Sequence, residues 1–175
     1  GSNITSFEEL RFFANVKELH SEAFYQCRTL RSIDLSNVTK FHGWANFKDD
    51  TALEKVIVGD WEKISEYCFN NCKNAVFVGG LPRTIRTIEI NGNFRNTKRL
   101  TGDVVLPYLQ SKVTASCFEG SGLERVLDLG DITLIDGSAF NDCASLWLAI
   151  LPSTYNLSKW NAFRNTSLSV LICKA

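Results

Sequence analysis

A chain of 175 residues with 45% apolar, 22% charged and 11% aromatic side chains has the makeup of one ordinary globular domain rather than a disordered chain. Its 19 basic and 19 acidic side chains cancel, which excludes the one-signed field that draws a protein to nucleic acid or to an anionic membrane surface. No apolar run approaches the ~20 residues needed to cross a bilayer, and no hydrophobic signal segment stands at the start, so direct membrane insertion is not expected.

The opening stretch ITSFEELRFFANVKEL, residues 4–19, reads as a helical cap. Ser6 and Glu9 have the S-x-x-E spacing of a capping box, and Phe7, Leu10 and Phe13 share one helical face that would close the first unit behind it.

From residue 20 the sequence repeats. Phe24, Phe47, Phe69, Phe94, Phe118, Phe140 and Phe163 are 23, 22, 25, 24, 22 and 23 residues apart. Phe24 is followed by Cys27, Leu30, Ile33, Leu35, Val38 and Phe41; at the same offsets Phe47 is followed by Asp50, Leu53, Val56, Val58, Trp61 and Ile64. Later copies drift by a residue, with Leu100, Val104 and Leu106, then Leu123, Val126 and Leu129, then Leu146, Ala149 and Leu151. The third copy is read as carrying its apolar series late, at Ile85, Ile88 and Ile90 after GGLPRT.

A unit of ~23 residues cannot enclose a core alone, so the copies must stack and bury one another's apolar positions. In SIDLS, Ile33 and Leu35 point inward and Ser32, Asp34 and Ser36 outward, which is a half-buried strand. Each coil therefore supplies one short strand to a parallel sheet. The SEAFYQC stretch has a one-turn helical spacing that turns Ala23, Phe24 and Cys27 to the core. The expected fold is an α/β solenoid of about seven coils in a single domain, with a cap over residues 1–19 and repeats over 20–175. The small residues Ala23, Cys68, Cys117, Ala139 and Ala162 precede most of the Phe anchors, where the next coil leaves little room.

The run AFYQCRTLRSIDLSNVTKF resembles the BspA-type (Treponema pallidum-type) leucine-rich repeat, whose pattern is small-Phe-x-x-Cys-x-x-Leu-x-x-Ile-x-Leu-x-x-x-Val-x-x-Ile. The opening segment is similar to the one that precedes such repeats in surface proteins of gut Bacteroidetes. The resemblance implies a right-handed solenoid, secreted or displayed on the cell surface, serving adhesion or protein recognition. Asp50, Thr97, Ser121 and Thr166 depart from it by replacing Cys at its usual offset.

Cys27, Cys72 and Cys143 share one repeat offset and Cys68 and Cys117 another, which makes them small core residues beside a Phe. Cys27 and Cys72, two coils apart, would have Cα atoms ~9.6 Å apart, beyond the ~7 Å reach of a disulfide. Cys68 and Cys72 are the one pair close enough in sequence for a bridge or shared metal, with packing the expected role. No H-x-x-x-H, G-x-S-x-G or phosphate-binding glycine loop is present, and no cofactor is expected. His20 and His42 fall at nearly equal offsets and should be edge neighbours. Asp49 with Asp50, and Asp128 with Asp131, read as solvated turn residues.

The candidate binding surface is the outward row of the sheet: Asp34, Ile57, Glu89 and Ile150 at one offset, Lys55, Thr87, Arg125 and Leu148 at another, with Leu127 beside them. Trp147 is the candidate aromatic anchor; Trp44 and Trp160 recur three residues before their Phe and are expected to pack along an edge, while Trp61 replaces Val38 and belongs in the core. These residues fit a noncatalytic module that binds a protein partner. A carbohydrate-binding solenoid using Trp147, Trp44 or Trp160 is the alternative, and an enzyme gathering His20, His42 and a carboxylate is a third. The closing LSVLICKA lacks a polar cap, so its edge is expected to be covered by a neighbouring chain or by further sequence.

Overall fold

A computed structural model describes residues 3–110, 112–153 and 161–174. The seven recurrent Phe rings form one column: consecutive rings stack with centroids 4.9–5.6 Å apart and planes within 15° of parallel, from Phe24 to Phe163. Phe47, Phe69, Phe94, Phe118 and Phe140 are fully buried. Burial of that much aromatic surface at every coil is the main stabilising term of the stack.

The strands are β1 (Ser6–Phe7), β2 (Glu18–Leu19), β3 (Ser32–Asp34), β4 (Lys40–Phe41), β5 (Lys55–Ile57), β6 (Lys63–Ile64), β7 (Val76–Val78), β8 (Thr87–Ile88), β9 (Thr101–Val105), β10 (Gly122–Asp128), β11 (Leu148–Leu151) and β12 (Val170–Cys173). All pairings are parallel. A front sheet runs β1-β3-β5-β7 and then, as a separate sheet, β9-β10-β11-β12; a second face carries β2-β4-β6-β8. The early coils thus supply two strands each where the sequence suggested one.

The expected α/β class and helical cap are not what forms. Among the described residues there is no α-helix, and the fold is a parallel β-solenoid. In the N-terminal segment a five-residue 3-10 helix, Glu8–Phe12, follows β1, and Phe7 at its start makes no side-chain capping bond. Ser6 is the first residue of β1 and its hydroxyl lies 2.8 Å from that of Ser32. The exposed edge of β3 needs a partner, and pairing there outweighs a short helix that is marginal in water. Leu10 is buried, Phe7 half-buried and Phe13 exposed, so the shared apolar face is only partly realised.

The Phe stretches are not helical turns either. The residues two before and two after the first six anchors have positive φ: Glu22 and Gln26, Ala45 and Asp49, Tyr67 and Asn71, Gly92 and Asn96, Ser116 and Gly120, Ser138 and Asp142; after the seventh, Asn165 does. Left-handed residues cannot continue a right-handed helix. They kink the chain on both sides of the Phe and turn its N–H along the stack, where the amides of Phe24, Phe47, Phe69, Phe94, Phe118 and Phe140 donate to carbonyls one coil on at 2.7–2.8 Å. Asn and Asp tolerate this conformation, and their side chains continue the ladder: Asn71 donates to Asp49 and Asn96 to Asn71, each at 2.8 Å.

The third copy is extended in another place than its sequence suggested. Its inward front residue is Phe77, which pairs with Val56, and its extra length lies in the corner after β7. Gly79 and Gly80 make that corner at φ +93° and +76°, values a side chain would strain. Ile85 and Ile88 are core residues of the second face, and Ile90 is 61% exposed. Beyond the corner, no described strand pairing joins β7 to β9, while the Phe column passes through unbroken.

Candidate functional site

The shift of the third copy relocates two of the nine residues expected on the front row. Thr87 lies in β8 opposite Lys63, and Glu89 meets the Lys63 ammonium at 2.6 Å, so both belong to the second face. That face is a charge ladder: Lys40 lies 3.9 Å from both Glu18 and Glu62, and the His42 Nε2 lies 3.3 Å from Glu18 without hydrogen-bond alignment. His20 and His42 are neighbours as expected, their rings stacked at 5.4 Å.

On the front sheet the first half is engaged by the chain itself. Asp34 is only 4% exposed, its carboxylate accepting the Ser36 N–H and lying 4.0 Å from Arg11. Asp34 is therefore buried rather than offered to a partner. Lys55 reaches Glu8 at 3.0 Å, and Ile57 is half-buried between Asp34 and Val78. The N-terminal segment thus covers this end.

The second half is different. Arg125 holds Asp103 through two 2.7 Å hydrogen bonds and pairs in register with Leu148, which pairs with Val170. Ile150 pairs with Ile172, and Leu127 follows Val126, the partner of Ala149, so it stands beside Ile150. Leu127, Leu148 and Ile150 are half-buried, Val170 and Ile172 exposed, and Trp147 precedes the row at 41% exposure. Strand alternation turns Val126, Ala149 and Leu151 inward and leaves this row outward. Val78, Val170 and Ile172 were not foreseen; measuring each strand from its own Phe anchor was the signal for them. Trp44 is 42% exposed on the turn face, Trp61 is fully buried, and Trp160 lies outside the described residues.

The interior holds a second set of candidate groups. All six cysteines are free. Burial pushes the thiols of Cys68, Cys72, Cys117 and Cys143 upward, which disfavours the nucleophilic thiolate. Cys72 and Cys143 each donate to the carbonyl of the preceding coil's Phe, Phe47 and Phe118, at 3.0 Å. Where Cys is replaced, Thr97 and Thr166 donate to the carbonyls of their own Phe, and Ser121 meets Cys143. The offset selects small side chains that hydrogen-bond within the turn or to the adjoining coil.

Asp50 is the exception at this offset, and it is not a solvated turn residue. It is fully buried, its Oδ1 accepts the Cys27 N–H at 2.7 Å, and its Oδ2 has no hydrogen-bond partner. Desolvation raises its pKa to about 8, so near neutral pH the carboxyl is held mostly protonated in the fold. It took the repeat's Cys position and with it the repeat's burial.

Among the described residues no helix is long and apolar enough to cross a membrane, and no cluster of three or more His, Cys, Asp or Glu is placed to hold a metal. No curated protein and no solved structure matches the chain. The BspA type leucine rich repeat region matches in six copies, over residues 2–107 and 62–175. With the Phe column, the repeated parallel strands and the Cys-offset turns all in place, the chain belongs to the BspA-type leucine-rich repeat family, a family of protein-interaction and adhesion repeats.

Proposed function

We propose that the chain is a noncatalytic recognition module of an exported or surface-displayed protein, and that it captures a protein partner on the front sheet from β9 to β12. The observation that carries this reading is the row Leu127, Leu148, Ile150, Val170 and Ile172 with Trp147 at its side. A contiguous apolar strip on a soluble solenoid is a place where water is shed on binding. Arg125, clamped by Asp103, gives the strip a rigid polar rim.

The test is capture of cell-surface and extracellular proteins by the immobilised chain, followed by identification of what is retained. Ile150→Asp and Leu148→Asp should abolish capture, and Ile57→Asp should reduce it little because the N-terminal segment already occupies that end. Equal capture by all three variants and the parent protein would show the surface to be wrong.

A further inference from the structure

We propose that the turn face of the first three coils carries a separate saccharide-binding site built from Tyr25, Trp44, Lys48 and Tyr67. The Tyr25 and Trp44 rings lie 6.0 Å apart and inclined at 44°. The Lys48 ammonium sits 5.8 Å from the Trp44 ring and 5.1 Å from that of Tyr67, so one cation links rings contributed by different coils.

The fold does not ask for these rings. At the place of Trp44, three residues before the anchor, the next four coils carry Glu66, Asn91, Ala115 and Gly137, and an aromatic returns there only in the last coil, as Trp160. At the place of Tyr67, two before it, they carry Gly92, Ser116 and Ser138. Small and polar residues complete the same turns, yet Trp44 stays 42% exposed, so solenoid packing does not explain it.

The surroundings point to the chemistry of the ligand. Main-chain N–H groups along this face, from Glu22 and Phe24 to Ala45, Phe47, Asp49 and Tyr67, already donate to the next coil, which leaves no edge for an added peptide strand. Recognition must then come from side chains. The rings offer flat apolar faces, and around them stand groups that donate and accept: Gln26 donates to the Tyr25 hydroxyl at 3.1 Å, and Asn91 to Glu66 at 3.4 Å. A pyranose ring has the matching character, with an apolar C–H face to stack and hydroxyls that bond in both directions. Asp49 follows Lys48 in the chain and Glu66 pairs with Trp44 from the next coil, so the local charge is mixed and a neutral sugar fits better than an acidic one.

The test uses short oligosaccharides of glucose, galactose, mannose and N-acetylglucosamine, titrated into the intact chain by calorimetry and by tryptophan fluorescence. At least one should bind with a shift of the exposed Trp44 emission. Trp44→Ala and Tyr25→Ala should each weaken it by about tenfold or more, Trp44→Phe should retain part of the affinity, and Ile150→Asp should leave it unchanged. A melting curve for each variant separates lost binding from lost fold. Binding by none of the sugars, or binding indifferent to Trp44→Ala in folded protein, overturns the proposal. A captured protein released by Trp44→Ala without any sugar response also overturns it and gives the face to a protein ligand.

Discussion

The two halves of the solenoid share one spine and differ in almost everything hung on it. From the first coil to the third, two sheets of very short strands enclose an aromatic core in which Phe41 and Phe77 meet Phe69 edge-on while Trp61 stacks on it. From the fourth coil on, longer strands enclose Leu100, Val104, Leu106, Val126 and Leu151. Strand pairing on the front lapses between β7 and β9, yet Phe69 and Phe94 remain stacked at 5.6 Å and the Phe69 amide still reaches the Asn93 carbonyl at 2.8 Å. Continuity therefore resides on the turn face, where an interrupted sheet costs the stack little, and the other faces are free to vary.

The spine should fail unequally when cut. Phe69 packs on the ladder rings Phe47 and Phe94 and also on Phe41, Trp61 and Phe77, whereas among the rings of the described residues Phe118 touches only Phe94 and Phe140. Phe69→Ala is expected to cost about 4–5 kcal/mol and Phe118→Ala about 3 kcal/mol, both measured by urea denaturation. Equal losses would mean that the additional aromatics add nothing to the first half, and losses below ~1 kcal/mol would remove the column as the spine.

The second effect belongs to the first half alone. Asp50 has a folded-state pKa of about 8, against an ordinary value of ~4 for the unfolded chain. Between those limits the folded protein keeps a proton that the unfolded chain has lost. Stability from the protonated form is complete below about pH 4 and is lost as pH climbs through about 8. Asp50→Asn, a neutral isostere, should flatten this slope and raise stability at alkaline pH by about 1–3 kcal/mol. Melting temperatures of the two proteins across pH 4–9 check it; parallel curves would mean that Asp50 is ionised and solvated.

How far the sequence discloses each half follows from backbone conformation. The Phe column is legible because an aromatic every ~23 residues leaves an unmistakable period. The turns around it are not, since positive φ at Glu22, Gln26 or Ser138 falls on residue types that do not advertise it. A two-residue strand such as Lys40–Phe41 has one inward residue and so no alternation to detect. The strand Val76–Phe77–Val78 alternates in space, yet its three side chains are all apolar, so Phe77 does not stand out and the third copy is displaced along the chain. Asp50 misleads because Asp49 beside it makes a turn-like pair. On the front row, Arg125, Leu127, Leu148 and Ile150 were placed correctly because the later strands are long enough to show their two faces.

The exposed row of the second half should matter to binding more than to folding. Ile150→Asp removes a half-buried side chain from a surface strand and is expected to cost no more than about 1 kcal/mol of stability while abolishing partner capture. A variant that unfolded would show instead that the row completes the core.

The smallest effect concerns the rim of that row. Arg125 and Asp103 make two 2.7 Å hydrogen bonds across adjacent coils, with side chains 43% and 29% exposed. Solvent screening limits such a pair, and a double-mutant cycle on Arg125→Ala and Asp103→Ala should return about 0.5–1 kcal/mol, diminishing with added salt. The first half has its own cross-coil pair, Arg31 with Glu54 at 2.6 Å, whose side chains are 64% and 53% exposed. It presents one bond rather than two and should return less. A larger coupling from Arg31 and Glu54 would mean that the front of the first half, strand for strand, is held more tightly than the surface proposed to bind, and rigidity would no longer distinguish the two.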